Sequence, residues 1–180
     1  ELTADDGQYA VTSLSEVRYG ITSPEAPAGL AAWWPTNFHP QEVVVGNHDL
    51  NLGNGVSYTD GKVSGALDFD GSSMASTAAF PDLDVGASAA GMTVEFWVRP
   101  EEGRNAAILQ WISQTAEGLS IRQWDGGSTI HAWTIDTTGQ IRLLTAHNFL
   151  TIGEWVHVAF TYDKVTGLAR LYRNGALVAE

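Results

Sequence analysis

Residues 151–180 read TIGEWVHVAFTYDKVTGLARLYRNGALVAE, and the fold is decided here. Glu154–Asp163 alternates, with Trp155, His157, Ala159 and Thr161 on one side and Val156, Val158, Phe160 and Tyr162 on the other. A period of two held over that length predicts a strand packed on at least one face. Lys164–Gly167 reads as a turn, Leu168–Tyr172 as a second strand, and Asn174-Gly175 as a tight hairpin leading into a third strand, Ala176–Ala179.

Working back from that block, the same signals recur. Met92–Arg99 alternates Val94, Phe96 and Val98 against Thr93, Glu95 and Trp97, and Pro100 ends it. Ala106–Ile112, Leu119–Trp124, Thr129–Ile135 and Gln140–Thr145 follow, with turns at Asp125–Ser128 and Thr137–Gly139. Nearer the start, Leu30–Trp34, Glu42–Val45, Val56–Thr59, Ala66–Phe69 and Met74–Ser76 are short strand candidates, and Asp60-Gly61 and Asp70–Ser73 are turns. Turn signals this frequent predict a sandwich, and no helix longer than a turn or two is expected, Ala87–Gly91 included.

The pieces GLAAWWP (29–35), DGKVSGALDFDGSS (60–73), MTVEFWVRPEE (92–102) and GEWVHVAFTYD…TGLARLYRNGALVA (153–179) together resemble, in order, the LamG-like jelly-roll modules of the concanavalin A-like lectin/glucanase superfamily. The resemblance runs from Gly29 to Glu180. It implies an all-β, two-sheet antiparallel jelly-roll sandwich. In that family the hairpin is followed by a last strand reading like IDEVRIY. The chain begins instead with ADDGQYAVTSLSEVRYGITSP, in which Ser15–Tyr19 (SEVRY) falls on the missing pattern with Ser15 in place of Asp. The expected organisation is a displaced closing strand within residues 1–20, a connector at 21–29 and a jelly-roll body at 30–180. Leu14–Tyr19 then closes its own sheet, as in a circular permutant, or completes the sheet of a neighbouring copy in a tandem array or filament.

Composition narrows the function. Nine Lys and Arg against 21 Asp and Glu leave a net charge of −12, which argues against nucleic-acid binding. No apolar run is long enough to span a bilayer, so no membrane insertion is expected. There are no cysteines, hence no disulfides and no thiolate metal sites, although secretion is compatible with that. No signal-peptide pattern opens the sequence, as expected of a mature fragment. An extracellular or cell-surface location, on a bacterial protein, follows from the resemblance.

Three kinds of chemistry are open to a chain of this kind. Glycosidases, which the resembled superfamily includes, need paired carboxylates, about 5–5.5 Å apart for retention and about 6.5–9.5 Å for inversion. Laminarinase-like members carry them as E-x-D-x-x-E. No strand here has that pattern, Glu95 is alone on its strand, and Glu101-Glu102 follows a proline, so no catalysis is expected. For metals, the five histidines lack zinc spacing. Calcium has a candidate set in Asn47, Asp49, Asn51 and Asp70, from two loops expected to meet at one end of the sandwich. The alternative is that these residues serve turn geometry, and Ser15, standing where the family has Asp, removes one further oxygen donor. For sugars, Trp111, Trp124 and Trp133 fall on successive strands. Most of the seven tryptophans are expected in the core. Trp124, with Arg122 before it and Asp125 beside it, is the best candidate for an exposed ligand-binding group. The leading expectation is a non-catalytic recognition or adhesion module for a glycan or a surface protein. The alternatives are a structural repeat or subunit of a surface filament or stalk that contacts copies of itself and, last, an unusual glycosidase of the same fold.

Overall fold

The computed structural model describes residues 28–44, 48–83, 90–112, 117–135 and 138–180. Leu14–Tyr19, the expected closing strand, lies outside the described residues, as do Asn47 and most of Ala87–Gly91. Twelve strands are described: β1 (Asn51–Leu52), β2 (Val56–Asp60), β3 (Gly65–Phe69), β4 (Ala75–Ser76), β5 (Gly91–Val98), β6 (Ala106–Ile112), β7 (Glu117–Trp124), β8 (Thr129–Ile135), β9 (Ile141–Ala146), β10 (Val156–Asp163), β11 (Leu168–Arg173) and β12 (Ala176–Ala179).

Two four-stranded antiparallel sheets form the body, one ordered β12-β11-β10-β5 and the other β6-β7-β8-β9. Their inner faces follow from the period-two patterns. Val156, Val158 and Phe160 of β10 and Leu171 of β11 meet Leu119 and Ile121 of β7, Ile130 and Ala132 of β8 and Ala146 of β9 in one buried cluster. Phe149 and Leu150, in the turn after β9, join that cluster, and their N–H groups both donate to the Ser128 carbonyl. The result is the two-sheet jelly-roll sandwich. Among the described residues no helix is long and apolar enough to cross a membrane.

The hairpin at Asn174-Gly175 is built as its sequence demands. Both residues have positive φ, 49° and 83°, which the mirror-image turn requires and which Asn and Gly tolerate best. Asn174 also ties the turn to β10, accepting the His157 N–H through Oδ1 at 2.9 Å and donating its own N–H to the His157 carbonyl. The preceding turn closes in a similar way, with Asp163 Oδ1 accepting from the N–H groups of Val165 and Thr166.

The early part of the chain meets expectation only in part. β2 and β3 pair as a hairpin across Asp60-Gly61, and β1 pairs with β4. Leu30–Trp34 joins no ladder, and neither do Glu42–Val44. The backbone there is satisfied by another route. The buried Glu42 accepts the N–H groups of Trp33 and Val44 on Oε1, at 3.0 and 2.6 Å, and Val43 donates to the Trp33 carbonyl. A carboxylate that takes the N–H groups a partner strand would have taken removes the need for one. Just beyond, Thr36 and Phe38 take positive φ, which turns the chain out of an extended path.

Candidate functional site

The site is built on the face of β7, β8 and β9 that points away from the core. In β7, Leu119, Ile121 and Gln123 face inward, so Ser120, Arg122 and Trp124 face outward. Register sets their neighbours: Arg122 lies opposite His131, Ser120 opposite Trp133 and Trp124 opposite Thr129. The next ladder adds Leu143 opposite Trp133 and Ile141 opposite Ile135. Arg122, Trp124, His131, Trp133, Ile141 and Leu143 line an open depression of about 280 Å³.

Within it, the rings of Trp124 and His131 stack with centroids 5.3 Å apart and an interplanar angle of 17°. The Arg122 guanidinium lies 5.8 Å from the centroid of the Trp133 ring. Arg122 Nε is buried and has no hydrogen-bond acceptor. Trp124 stays 39 % exposed and Ile141 62 %, so an aromatic and aliphatic surface faces solvent beside a cation.

The turn that ends β7 holds Trp124 in place. Asp125, Gly126 and Gly127 have φ of 52°, 73° and 110°, a run of left-handed backbone that only small or short polar residues accept readily. Beneath the turn, the Gln123 amide nitrogen donates to the carbonyls of Glu102 and Gly127, at 3.0 Å each. Gly127 and Gly103 pack backbone to backbone, and an alanine Cβ at Gly127 would overlap Gly103 Cα. The tip of β7 is therefore clamped from below while Trp124 projects above.

Of the expected ligand residues, Arg122 and Trp124 come together in the depression. Asp125 is exposed at the head of the turn and does not line it. Trp111 is the one tryptophan packed against the core cluster, so the expectation that most of the seven lie in the core is not met; Trp97, Trp124 and Trp133 lie on outer faces, where the strand parity puts them. His131, Ile141 and Leu143 were not among the candidates. The parity of Thr129–Ile135 places His131 with Trp133, so that residue at least was within reach of the sequence.

The candidate calcium residues meet only in part. The loop before β2 does approach the turn after β3: Asp70 donates its N–H to the Gly55 carbonyl, and Gly55 donates to Ser73 Oγ at 3.0 Å. The Asp70 carboxylate, however, is taken up locally. Its Oδ1 accepts from the Ser72 and Ser73 N–H groups at 2.8 Å each, and the Ser72 hydroxyl lies 3.0 Å from both oxygens. These bonds, the Ser72 backbone one foremost, hold its pKa below the usual carboxylate value. Asp49 Oδ1 accepts the Glu42 N–H at 3.1 Å, and Asn51 pairs with Ser76. Among the described residues no three His, Cys, Asp or Glu side chains gather as a metal site. Asp49 and Asp70 thus each accept backbone N–H bonds, and Asn51 pairs through its backbone, while a hard cation would need about six to eight oxygens in all.

A second aromatic group lies on the outer face of the other sheet. Trp97 of β5 lies opposite His157, edge to face with centroids 5.1 Å apart. Lys62 Nζ lies 5.4 Å from the Trp97 ring centroid, and His157 Nε2 is 3.8 Å from Glu95 Oε2. Each member of this group has a partner within it.

Comparison with known proteins agrees with this architecture. A laminin G family model, described as concanavalin A-like lectin/glucanases superfamily, matches residues 69–180. The chain belongs to that superfamily. A search of curated proteins returned no match. Among solved structures the chain is similar to the binding domain of Paraclostridial Mosquitocidal Protein 1, with a TM-score of 0.60 and 18% identity. The match covers 77% of this chain and 36% of that one, so it spans little over a third of the other protein's length. At that identity the likeness concerns the fold.

Proposed function

We propose that this laminin G-like domain is a non-catalytic, extracellular recognition module that binds glycan on the outer face of β7–β9. One observation carries the reading: two tryptophans, a histidine and an arginine converge there around an open depression, on strands whose opposite face is the core. Pyranose rings present apolar C–H faces that stack on aromatic rings, while a few polar groups beside them fix the hydroxyls. Trp124 and His131 supply the stacking surface, Arg122 supplies donors, and Ile141 and Leu143 complete an apolar wall. A volume near the lower end of small-molecule sites, roughly 300 Å³, suits a sugar terminus better than a long chain in a cleft. Non-catalytic action is supported by the lining of the depression, whose six residues include no carboxylate, whereas glycoside hydrolysis uses a pair of them.

A glycan array probed with the labelled domain tests the reading. Binding to a defined subset, lost in Trp124→Ala with the melting temperature kept, is the expected outcome. Release of reducing sugar from any bound glycan would overturn the non-catalytic part. Binding untouched by Trp124→Ala would overturn the site.

A further inference from the structure

Arg122 stands apart from the other described arginines of this acidic chain. Arg99, Arg104 and Arg170 each meet a glutamate: Glu101 at 2.9 Å, Glu102, and Glu180 at 3.2 Å. Arg173 donates to the Phe149 carbonyl. In a chain with 21 Asp and Glu, an arginine usually finds an anion. Arg122 has none among the described residues. Its contact is the face of Trp133, and its buried Nε lacks an acceptor, so the fold does not use up its hydrogen-bonding capacity. A buried donor left unmade costs about 1–3 kcal/mol, and such a group calls for an explanation outside the pairing of the fold itself.

The placement of Arg122 supplies one. The guanidinium is held against Trp133 and stands across the ladder from His131, inside a depression whose other walls are indole, imidazole and aliphatic groups. A planar cation whose plane is already fixed loses little freedom on meeting a planar or multidentate anion, and its bonds to that anion are charge-assisted. Apolar walls exclude water and strengthen those bonds. A neutral sugar would use the stacking surface and leave the positive charge unanswered. We propose that the depression selects an acidic saccharide, one whose terminal ring carries a carboxylate or sulfate, with Arg122 as the group that recognises the charge. The proposal rests on the glycan reading of this face. Asp125, exposed at the adjacent turn, works against it at longer range, and that gives the proposal a second handle.

The test uses immobilised oligosaccharides in matched pairs. Uronic- and sialic-acid-terminated glycans are set against their carboxyl-reduced counterparts, and sulfated glycans against their desulfated ones. The acidic member of at least one pair should bind about tenfold more tightly or better, the ratio that one charge-assisted contact of about 1.4 kcal/mol produces. The pair in which the preference is seen tells carboxylate from sulfate. Arg122→Gln should bring that ratio close to one by weakening the acidic member more than the neutral one, Arg122→Lys should restore part of it, and Asp125→Asn should raise it. Trp124→Ala should weaken both members alike. Equal binding of both members, or an Arg122→Gln variant that weakens both equally while Arg122→Lys rescues nothing, overturns the acidic preference and leaves the glycan reading standing. Loss of neither member in Trp124→Ala, or binding of no pair at all, overturns the glycan reading itself.

Discussion

The clamp under Trp124 makes a quantitative prediction. Gly127 and Gly139 both have left-handed φ, 110° and 80°, but their surroundings differ. An alanine Cβ at Gly139 meets nothing within 4 Å, whereas at Gly127 it overlaps Gly103 Cα and comes within 2.9 Å of Gln123 Nε2. Gly139→Ala therefore costs only the left-handed backbone, about 1–2 kcal/mol. Gly127→Ala adds a backbone collision that side-chain rotation cannot relieve, since the obstacle is a Cα. Separating the two glycines also strains the Gln123 bonds to Glu102 and Gly127, each worth about 1 kcal/mol. Without the collision the sum is already about 3–4 kcal/mol. With about 2–4 °C lost per kcal/mol for a domain of this size, Gly127→Ala should melt at least about 6–16 °C below the parent and Gly139→Ala about 2–8 °C below it. Differential scanning calorimetry on the two variants reads this directly. Equal losses would refute the claim that the turn is clamped against Gly103, and with it the account of how Trp124 is presented.

Three further outcomes are expected. Asp70 and Asp163 accept backbone N–H bonds that hold their pKa values down, from Ser72 first for Asp70 and from Thr166 first for Asp163. A depressed folded-state pKa gives stability that is present above the unfolded value, 3.8, and is lost as pH falls through the folded one. Melting temperature should therefore fall on acidification below about pH 4, and less steeply in Asp70→Asn/Asp163→Asn; equal slopes would contradict the assignment. Titrating chelator-treated protein with Ca²⁺ should give no heat and no rise in melting temperature from Asp49, Asn51 and Asp70, and a rise abolished by Asp70→Ala would restore the calcium reading. Hydrogen exchange should find the amides of Leu14–Tyr19 protected if that stretch closes a sheet, and exchange at coil rates would end that proposal.

How far the sequence carried the fold differs between its two halves. From Gly91 onward, each strand that lies in a ladder was visible, because half-buried strands alternate and their turns carry Asn-Gly, Asp-Gly-Gly or Thr-Gly. Ala106–Ile112, Thr129–Ile135 and Ala176–Ala179 agree with the structure to the residue. Leu30–Trp34 and the described part of Glu42–Val45 misled for a definite reason: apolar and β-branched composition suggests a paired strand, but the Trp33 and Val44 N–H groups are taken by a carboxylate rather than a partner strand. Trp33 N–H to Glu42 Oε1 is a contact between residues nine apart that no periodicity announces.

The site was half legible for related reasons. Trp124 beside a glycine turn, with Arg122 two residues earlier on the same face, could be picked out from one strand alone. His131 shares its parity with Trp133, but its place opposite Arg122 needed the register between two strands, which the Asp125–Ser128 turn fixes only once its geometry is known. Ile141 and Leu143 were harder still, since β9 is apolar on both faces and parity cannot say which side meets solvent. The calcium candidates show the reverse problem. Asp and Asn in Gly-rich loops carry the same letters whether they bind a cation or their own backbone, and the local bonds of Asp70 became visible only with coordinates.

The most direct measurement of the central claim follows the tryptophan indole N–H resonances while a glycan hit is titrated into the labelled domain. Trp124 and Trp133, on the β7–β9 face, should shift with the binding isotherm, while Trp97, 42 % exposed on the opposite sheet, stays in place. Movement of Trp97 with Trp124 and Trp133 unchanged would put the binding surface on the wrong side of the sandwich and contradict the account.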